Sequence, residues 1–506
     1  MHKQVTILLC LLSMLACQSG AAEPLTNTKR AKQHADCEEW QSAIEIYTKE
    51  LAAHPKDAEC LAGRGLAYAR QGNLQQAFAD FSYAIKCDPN CTEAYSNRSR
   101  VYEWLGLIGP ARKDAEQALA RVSTVTQDLD SIMRQAGLLN CVGKKIEAET
   151  EYNHALLLCS KDADLSALLD AACAHYQLEH LKDSLNCLTQ AHNLSPKNAY
   201  IYYLRACVYK SLYQWTLATD ELNQHLALIP NNPLALNLRG DCAAAQENYK
   251  TAIAFYTAAT KIAPSFASAF RSRGFIYRIL GEYPKAIEDF TTVIDLDSTD
   301  FFSFAERAYA RCQLKEWALA LKDAQQANSL NPNYAPVYRY KALAQGKLGF
   351  FTEAIDALNK YISLEPRNPA GYYDRGICYR AHKEYKNAIA DFTEAIKLDP
   401  NDAMTFCARA SVLVSDRQYE SAIADCNQSL KLNANCTNSL LSRGIAYARS
   451  GQSKLALQDL DEAIKQIPNF QEAYYERGLV HKLLGNEKLY QSDMNKAKAL
   501  SSSKTE

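Results

Sequence analysis

Glycine and proline are scarce in this sequence, 19 and 15 among 506 residues. That is too little punctuation for an all-β protein, whose turns lean on both, and too little for a disordered chain. Charge of one sign is also missing, since 56 Lys+Arg face 57 Asp+Glu. A nucleic acid or an anionic membrane as main partner would usually leave a basic footprint, so neither is expected. Catalytic signatures are missing too: H-E-x-x-H, G-x-S-x-G, a Walker loop and G-x-G-x-x-G do not occur, and the ten histidines are dispersed. Nor is there a C-x-x-C or a Cys/His cluster at zinc spacing, so no metal, cofactor or enzymatic activity is expected. Apolar residues at 48% and charged residues at 22% are ordinary for a folded protein. A mostly helical chain is what remains.

The first 22 residues stand apart. Met1-His2-Lys3 is a short basic start, Val5 to Ala16 is almost uniformly apolar, and small polar residues follow. That order is the pattern of an export signal, and the apolar run falls short of the roughly 20 residues a membrane span needs. Two processing outcomes stay open. Gly20 and Ala22 suit cleavage before Glu23; Met14-Leu15-Ala16-Cys17 resembles a lipobox, imperfectly, with Cys17 then lipidated as a membrane tether. The expectation is an exported protein, periplasmic or a membrane-anchored lipoprotein, with a cytoplasmic chain as the alternative. Oligomeric state is not legible.

From about residue 23 to 502 a period of 34 residues organises the chain. Pro196, Pro230, Pro264, Ser298, Pro332, Pro366, Pro400, Ala434 and Pro468 mark it, as do Pro55, Pro89 and Ser123 earlier. Between Ser123 and Pro196 (124–195) the phase slips, with Ser160 at the turn position. With the proline numbered 32, position 8 is small (Gly65, Gly240, Gly376, Gly444), position 20 is Ala in most units, and position 24 is often Phe or Tyr (Phe81, Tyr256, Phe392). Small residues at 8 and 20 let two helices approach closely, aromatics at 24 fill the space beside them, and glycine near 15 supplies the turn. The pattern resembles the tetratricopeptide repeat family. That resemblance implies an all-α fold: a right-handed superhelical α-solenoid of about 13–14 stacked helix-turn-helix repeats. Residues 503–506 read as a frayed tail.

Position 7 is Arg in eleven units: Arg30, Arg64, Arg98, Arg205, Arg239, Arg273, Arg307, Arg375, Arg409, Arg443 and Arg477. Such a row invites a phosphate- or RNA-binding reading. Position 23 argues against it, because eight of those units carry Asp there and a ninth carries Glu221. Of the three units without the arginine, Ala171 goes with Cys187 and Lys341 with Ala357, whereas Gln135 keeps Glu151. In the resembled family positions 7 and 23 lie close, which implies bidentate Arg–carboxylate pairs between the helices.

The resemblance also implies that positions 2, 5, 9 and 12 of each first helix line a concave face where a protein or extended peptide is held. In mid-chain that face is aromatic and basic: Tyr176, Tyr200, Tyr203, Lys210, Arg271, Phe275, Arg278, Phe302, Tyr309, Arg339, Tyr373 and Arg380. Aromatic and Arg side chains are favoured interface anchors. The dicarboxylate clamp by which some relatives hold chaperone tails is not supported, since Ala62, Leu66, Ser96 and Arg100 stand at its positions. A hinge is expected at the phase slip. Seventeen cysteines are many; their scatter suits small core residues in a reducing compartment, at odds with the export signal, and Cys87 with Cys91 is the nearest candidate pair. The expected function is a non-enzymatic scaffold or adaptor, with a helical-repeat nucleic-acid binder as the alternative.

Overall fold

The computed structural model describes residues 28–29, 31–32, 40–121, 128–159 and 164–502. The export segment with Cys17, the tail, Arg30, Ser123 and Ser160 lie outside the described residues. Among those described, the chain is all helix, running from Trp40–Ala53 to Glu487–Ser502 without a strand. After Trp40–Ala53 the helices come as pairs, beginning with Ala58–Arg70 and Leu74–Cys87 and ending with Gln471–Leu483 and Glu487–Ser502.

Local chemistry sets each boundary. First helices often start at an Asp or Asn whose side chain accepts from an orphan backbone N–H, as Asp57 does from Cys60 at 3.0 Å and Asn232 from Leu234 at 3.0 Å. Pro233 and Pro369 stand at the N-terminal turn, where a missing N–H costs nothing. First helices end at a left-handed residue at position 15. In seven repeats it is glycine, for example Gly72 (φ 80°) and Gly106 (φ 75°); in six it is Glu179, Tyr213, Glu247, Lys315, Lys383 or Arg417 (φ 58–63°). The next N–H then reaches back to the carbonyl at position 11, as Asn73 does to Tyr68 at 2.9 Å and Glu384 to Tyr379 at 2.8 Å. This is the six-to-one hydrogen bond of a Schellman turn.

Packing within a pair follows the small-residue pattern. Ala77, Ala218, Ala252, Ala388 and Ala456, all at position 20, are fully shielded. A Cβ added to Gly240 would stand 2.5 Å from the Tyr256 ring, and one on Gly376 would stand 2.8 Å from Phe392. Single pairs do not close a core; the apolar clusters run from one pair into the next, as where Ala305, Ala324 and Ala327 meet Val337, Leu358 and Tyr361.

Two compact units divide the described residues, one ending at Asp300 and the other beginning at Phe301. The second stacks regular pairs. The first contains the phase slip and a contact that no single repeat encodes. At the slip the helices keep ordinary length, and it is the connections, Leu119 to Leu129 and Leu158 to Leu165, that are long. Elsewhere in this unit the turns of its early repeats pack onto its late ones. A Cβ on Gly72 would approach Asn232 Nδ2 to 3.2 Å, and one on Gly106 would approach Ser268 Oγ to 2.0 Å. The Gly109 N–H donates to Asp297 at 3.1 Å, and the Arg271 guanidinium donates to Asp300 and to the Gly106 carbonyl at 3.0 Å each. Leu74, Phe81, Val101, Leu105 and Leu107 share one apolar cluster with Leu236, Ala263, Phe266 and Val293. This seam closes the first unit on itself.

The described cysteines are free, the candidate pair Cys87 and Cys91 included. Cys91 Sγ points instead at the Ala58 carbonyl, 4.0 Å away in the preceding repeat.

Candidate functional site

The arginine row is built as cross-helix pairs. Arg375 donates through Nε and Nη2 to the two carboxylate oxygens of Asp391 at 2.7 and 2.6 Å, and through Nη1 to Asn359 Oδ1 at 2.7 Å. Arg64, Arg98, Arg273, Arg409, Arg443 and Arg477 make the same fork onto Asp80, Asp114, Asp289, Asp425, Asp459 and Asp493. Their third nitrogen reaches Thr48, Ser82, Thr257, Thr393, Asn427 and Asp461 on the preceding second helix. Each guanidinium therefore joins its own pair to the one before it. Arg307 holds Asp323, which also accepts from Arg311, and Arg205 meets Glu221 at 3.1 Å. Arg239, which lacks an acid, lies 5.1 Å from the Phe255 ring, a cation–π contact in place of the ion pair. Among the described residues the arginines of this row are engaged in contacts between helices.

In the first unit the aromatic and basic residues of the expected reading face are drawn into internal contacts. Tyr200 stacks near Tyr203, with the Arg70 guanidinium 4.7 Å from the Tyr200 ring. Burial pushes the Tyr203 hydroxyl well above its usual range; Tyr200 is raised by burial too, against the opposing charge of Arg70. Tyr176 shares a hydrogen bond with Ser211 at 3.1 Å. Lys210 pairs with Asp241 at 2.6 Å; burial disfavours its charge, but that carboxylate outweighs burial and raises its pKa. Arg271 is held by the seam, and Arg278 lies over the Phe275 ring at 4.5 Å.

In the second unit Tyr309 packs edge-on against Tyr340, and Phe302 against Tyr334. Arg339 donates to Asp374 at 2.6 Å, and Tyr373 leans on Phe392. Arg380 stands half-buried on the same helix as Tyr373. Three further side chains on first helices were missed: Leu343 (43% exposed, position 9) and Met404 (51%, position 2) are neither aromatic nor basic, and Tyr475 (45%, position 5) lies beyond the mid-chain stretch that was read. An apolar residue at a position of the reading face was the signal that would have found them. No large exposed apolar side chain of the first unit's described residues occupies those positions.

Two pockets flank this geometry without containing it. One of about 500 Å3 lies at Ala53, His54, Pro55, Lys56 and Asp57. The other, about 260 Å3, opens beside Lys341 and Ala357, where the repeat has lost its Arg–Asp pair.

The tetratricopeptide repeat family pattern matches residues 28–90, 210–265, 369–402 and 407–472. In those stretches the helix pairs match the tetratricopeptide repeat. Proteins built from this repeat generally mediate protein–protein interactions and are generally non-enzymatic scaffolds. Tetratricopeptide repeat protein 16 of Macaca fascicularis is 28% identical over 247 residues, covering 45% of this chain and 28% of that protein. Human tetratricopeptide repeat protein 6 is 24% identical over 276 residues, covering 51% of this chain and 53% of that protein. The chain thus spans about half or less of the length of these curated relatives. Among solved structures, the Cut9–Hcn1 hetero-tetramer of the APC/C is similar at a TM-score of 0.46 and 16% identity, covering 83% of this chain and 89% of that one. No helix of the described residues is long and apolar enough to cross a membrane.

Proposed function

We propose that this tetratricopeptide repeat protein is a non-enzymatic scaffold that holds a peptide or protein partner on the first-helix face of residues 301–502. One observation carries the reading: Leu343, Met404 and Tyr475 stand exposed at positions 9, 2 and 5 of their repeats. Apolar side chains left in water at the positions of a reading surface are what a partner would cover. Tyr373 and Arg380 lie on a first helix between those of Leu343 and Met404 and supply an aromatic and a cationic anchor. The first unit is the weaker reader, because Arg271 and Tyr200 are already engaged within it. A nucleic-acid partner finds no support in the arginine row, most of whose charges are matched by carboxylates.

The test is recovery of partners from the native source with the triple variant L343E/M404E/Y475E. Binding should fall at least tenfold, while Leu157→Glu, at a side chain 84% exposed on a second helix, leaves it unchanged. Equal recovery by both variants sinks the assignment. The pattern of Met1 to Ala22 supports an exported protein, periplasmic or tethered through Cys17. A mass measurement of the mature N-terminus distinguishes cleavage before Glu23, lipidated Cys17 and an intact start.

A further inference from the structure

The pair Leu165–Gln177 and Leu181–Leu194 is the one in the first unit's described repeats that has lost both halves of the cross-helix ion pair, with Ala171 and Cys187 in their place. It carries a different set of polar groups around the turn that joins the same pair. His175 sits near the end of the first helix, His180 caps the second, and Asp183 lies in the second helix's first turn. One ligand atom from each lies within 4.8 Å of the other two. The turn between them is fixed: Glu179 takes the left-handed conformation (φ 61°), and the His180 N–H donates to the His175 carbonyl at 2.8 Å. A second observation is independent of that spacing. His175 Nδ1 is shut off from solvent and has no hydrogen-bond partner among the described residues.

We propose that His175, His180 and Asp183 bind a divalent transition metal of the zinc class, which clips the two helices of this repeat together. Two imidazoles and one carboxylate are a donor set for zinc and its neighbours; calcium and magnesium call for oxygen ligands. Tetrahedral coordination with bonds of about 2.0–2.1 Å places ligand atoms roughly 3.3 Å apart. His180 and Asp183 are exposed and close the difference by rotamer change, around the partly buried His175. The ion spans first and second helix, as Arg375 and Asp391 do in a regular repeat, and replaces the ion pair this repeat lacks. A chain-spacing criterion passes over the site because its third ligand is an aspartate and neither histidine lies near a cysteine at zinc-finger spacing.

The experiment uses the full chain, stripped with a chelator and titrated with zinc, and with cobalt(II) as a coloured substitute. One saturable equivalent is expected, with slower amide exchange across 165–194 when it is bound. His180→Ala and Asp183→Ala, both at exposed positions where folding is not at stake, should each weaken that equivalent at least tenfold. His154→Ala, on the preceding repeat, should leave it intact. Zinc affinity unchanged in His180→Ala, or exchange across 165–194 indifferent to the metal, overturns the proposal.

Discussion

Removing one carboxylate tests the cross-helix network most directly. In Asp391→Ala the Arg375 guanidinium loses two charge-assisted hydrogen bonds of 2.7 and 2.6 Å and keeps only the one to Asn359. The two side chains are 20% and 8% exposed, so the stranded cation is mostly shielded from water. Breaking a fully buried pair costs about 3–5 kcal/mol; the remaining exposure and the bond to Asn359 reduce the expectation to about 2–4 kcal/mol. Removing both partners, as in R375M/D391A, leaves no orphan charge and should cost less than the single change. A repeat array opens locally, so the fitting assay is the opening free energy from amide exchange across 369–398, with a urea melt beside it. A loss below about 0.5 kcal/mol, or a double variant worse than Asp391→Ala, refutes the reasoning.

Three further outcomes follow from the same geometry. Lys383 holds φ 63°, and Lys383→Gly should stabilise by about 0.5–1 kcal/mol in denaturant melts, because glycine takes that conformation without a Cβ clash. Gly281→Ala, with open space around its Cβ, should cost about 1 kcal/mol, whereas Gly106→Ala must also displace Ser268 and should cost clearly more; equal losses would deny the seam any energetic weight. Burial, then the nearby Asp130, raises Asp170 to about 6 against the pull of Arg70 and Arg100. A carboxyl raised in the folded state binds its proton more tightly there, so its contribution to stability falls as pH climbs from about 4 to 6 and stays low above that. Asp170→Asn should flatten that slope and gain about 2–3 kcal/mol at pH 8; a slope identical to that of the parent chain counts against it.

The arginine forks were legible because covariation between positions 7 and 23 repeats along the chain: Arg goes with Asp, and both are lost together at Ala171 and Cys187. The histidine–aspartate cluster was not legible, because its spacing matches no common ligand motif and only the turn at Glu179 brings the three groups together. The same limit applies to the reading face. Tyr200 and Arg271 look like anchors in a repeat taken alone, yet the fold commits them to Arg70 and to Asp300 with Gly106.

By itself the sequence determined what lies within one repeat of any residue: helix ends, the turn between the helices, the alanine and glycine contacts, and the ion pair. Those contacts span few residues and recur at constant stride, so periodicity exposes them. Only the tertiary structure decided that the turns at Gly72 and Gly106 meet Asn232 and Ser268. Small rotations from repeat to repeat accumulate along a stack, and where distant repeats arrive depends on their sum and on the longer connections near 120 and 160. Glycine at those two turns serves both levels, as the residue tolerant of positive φ and as the one without a Cβ to block the seam.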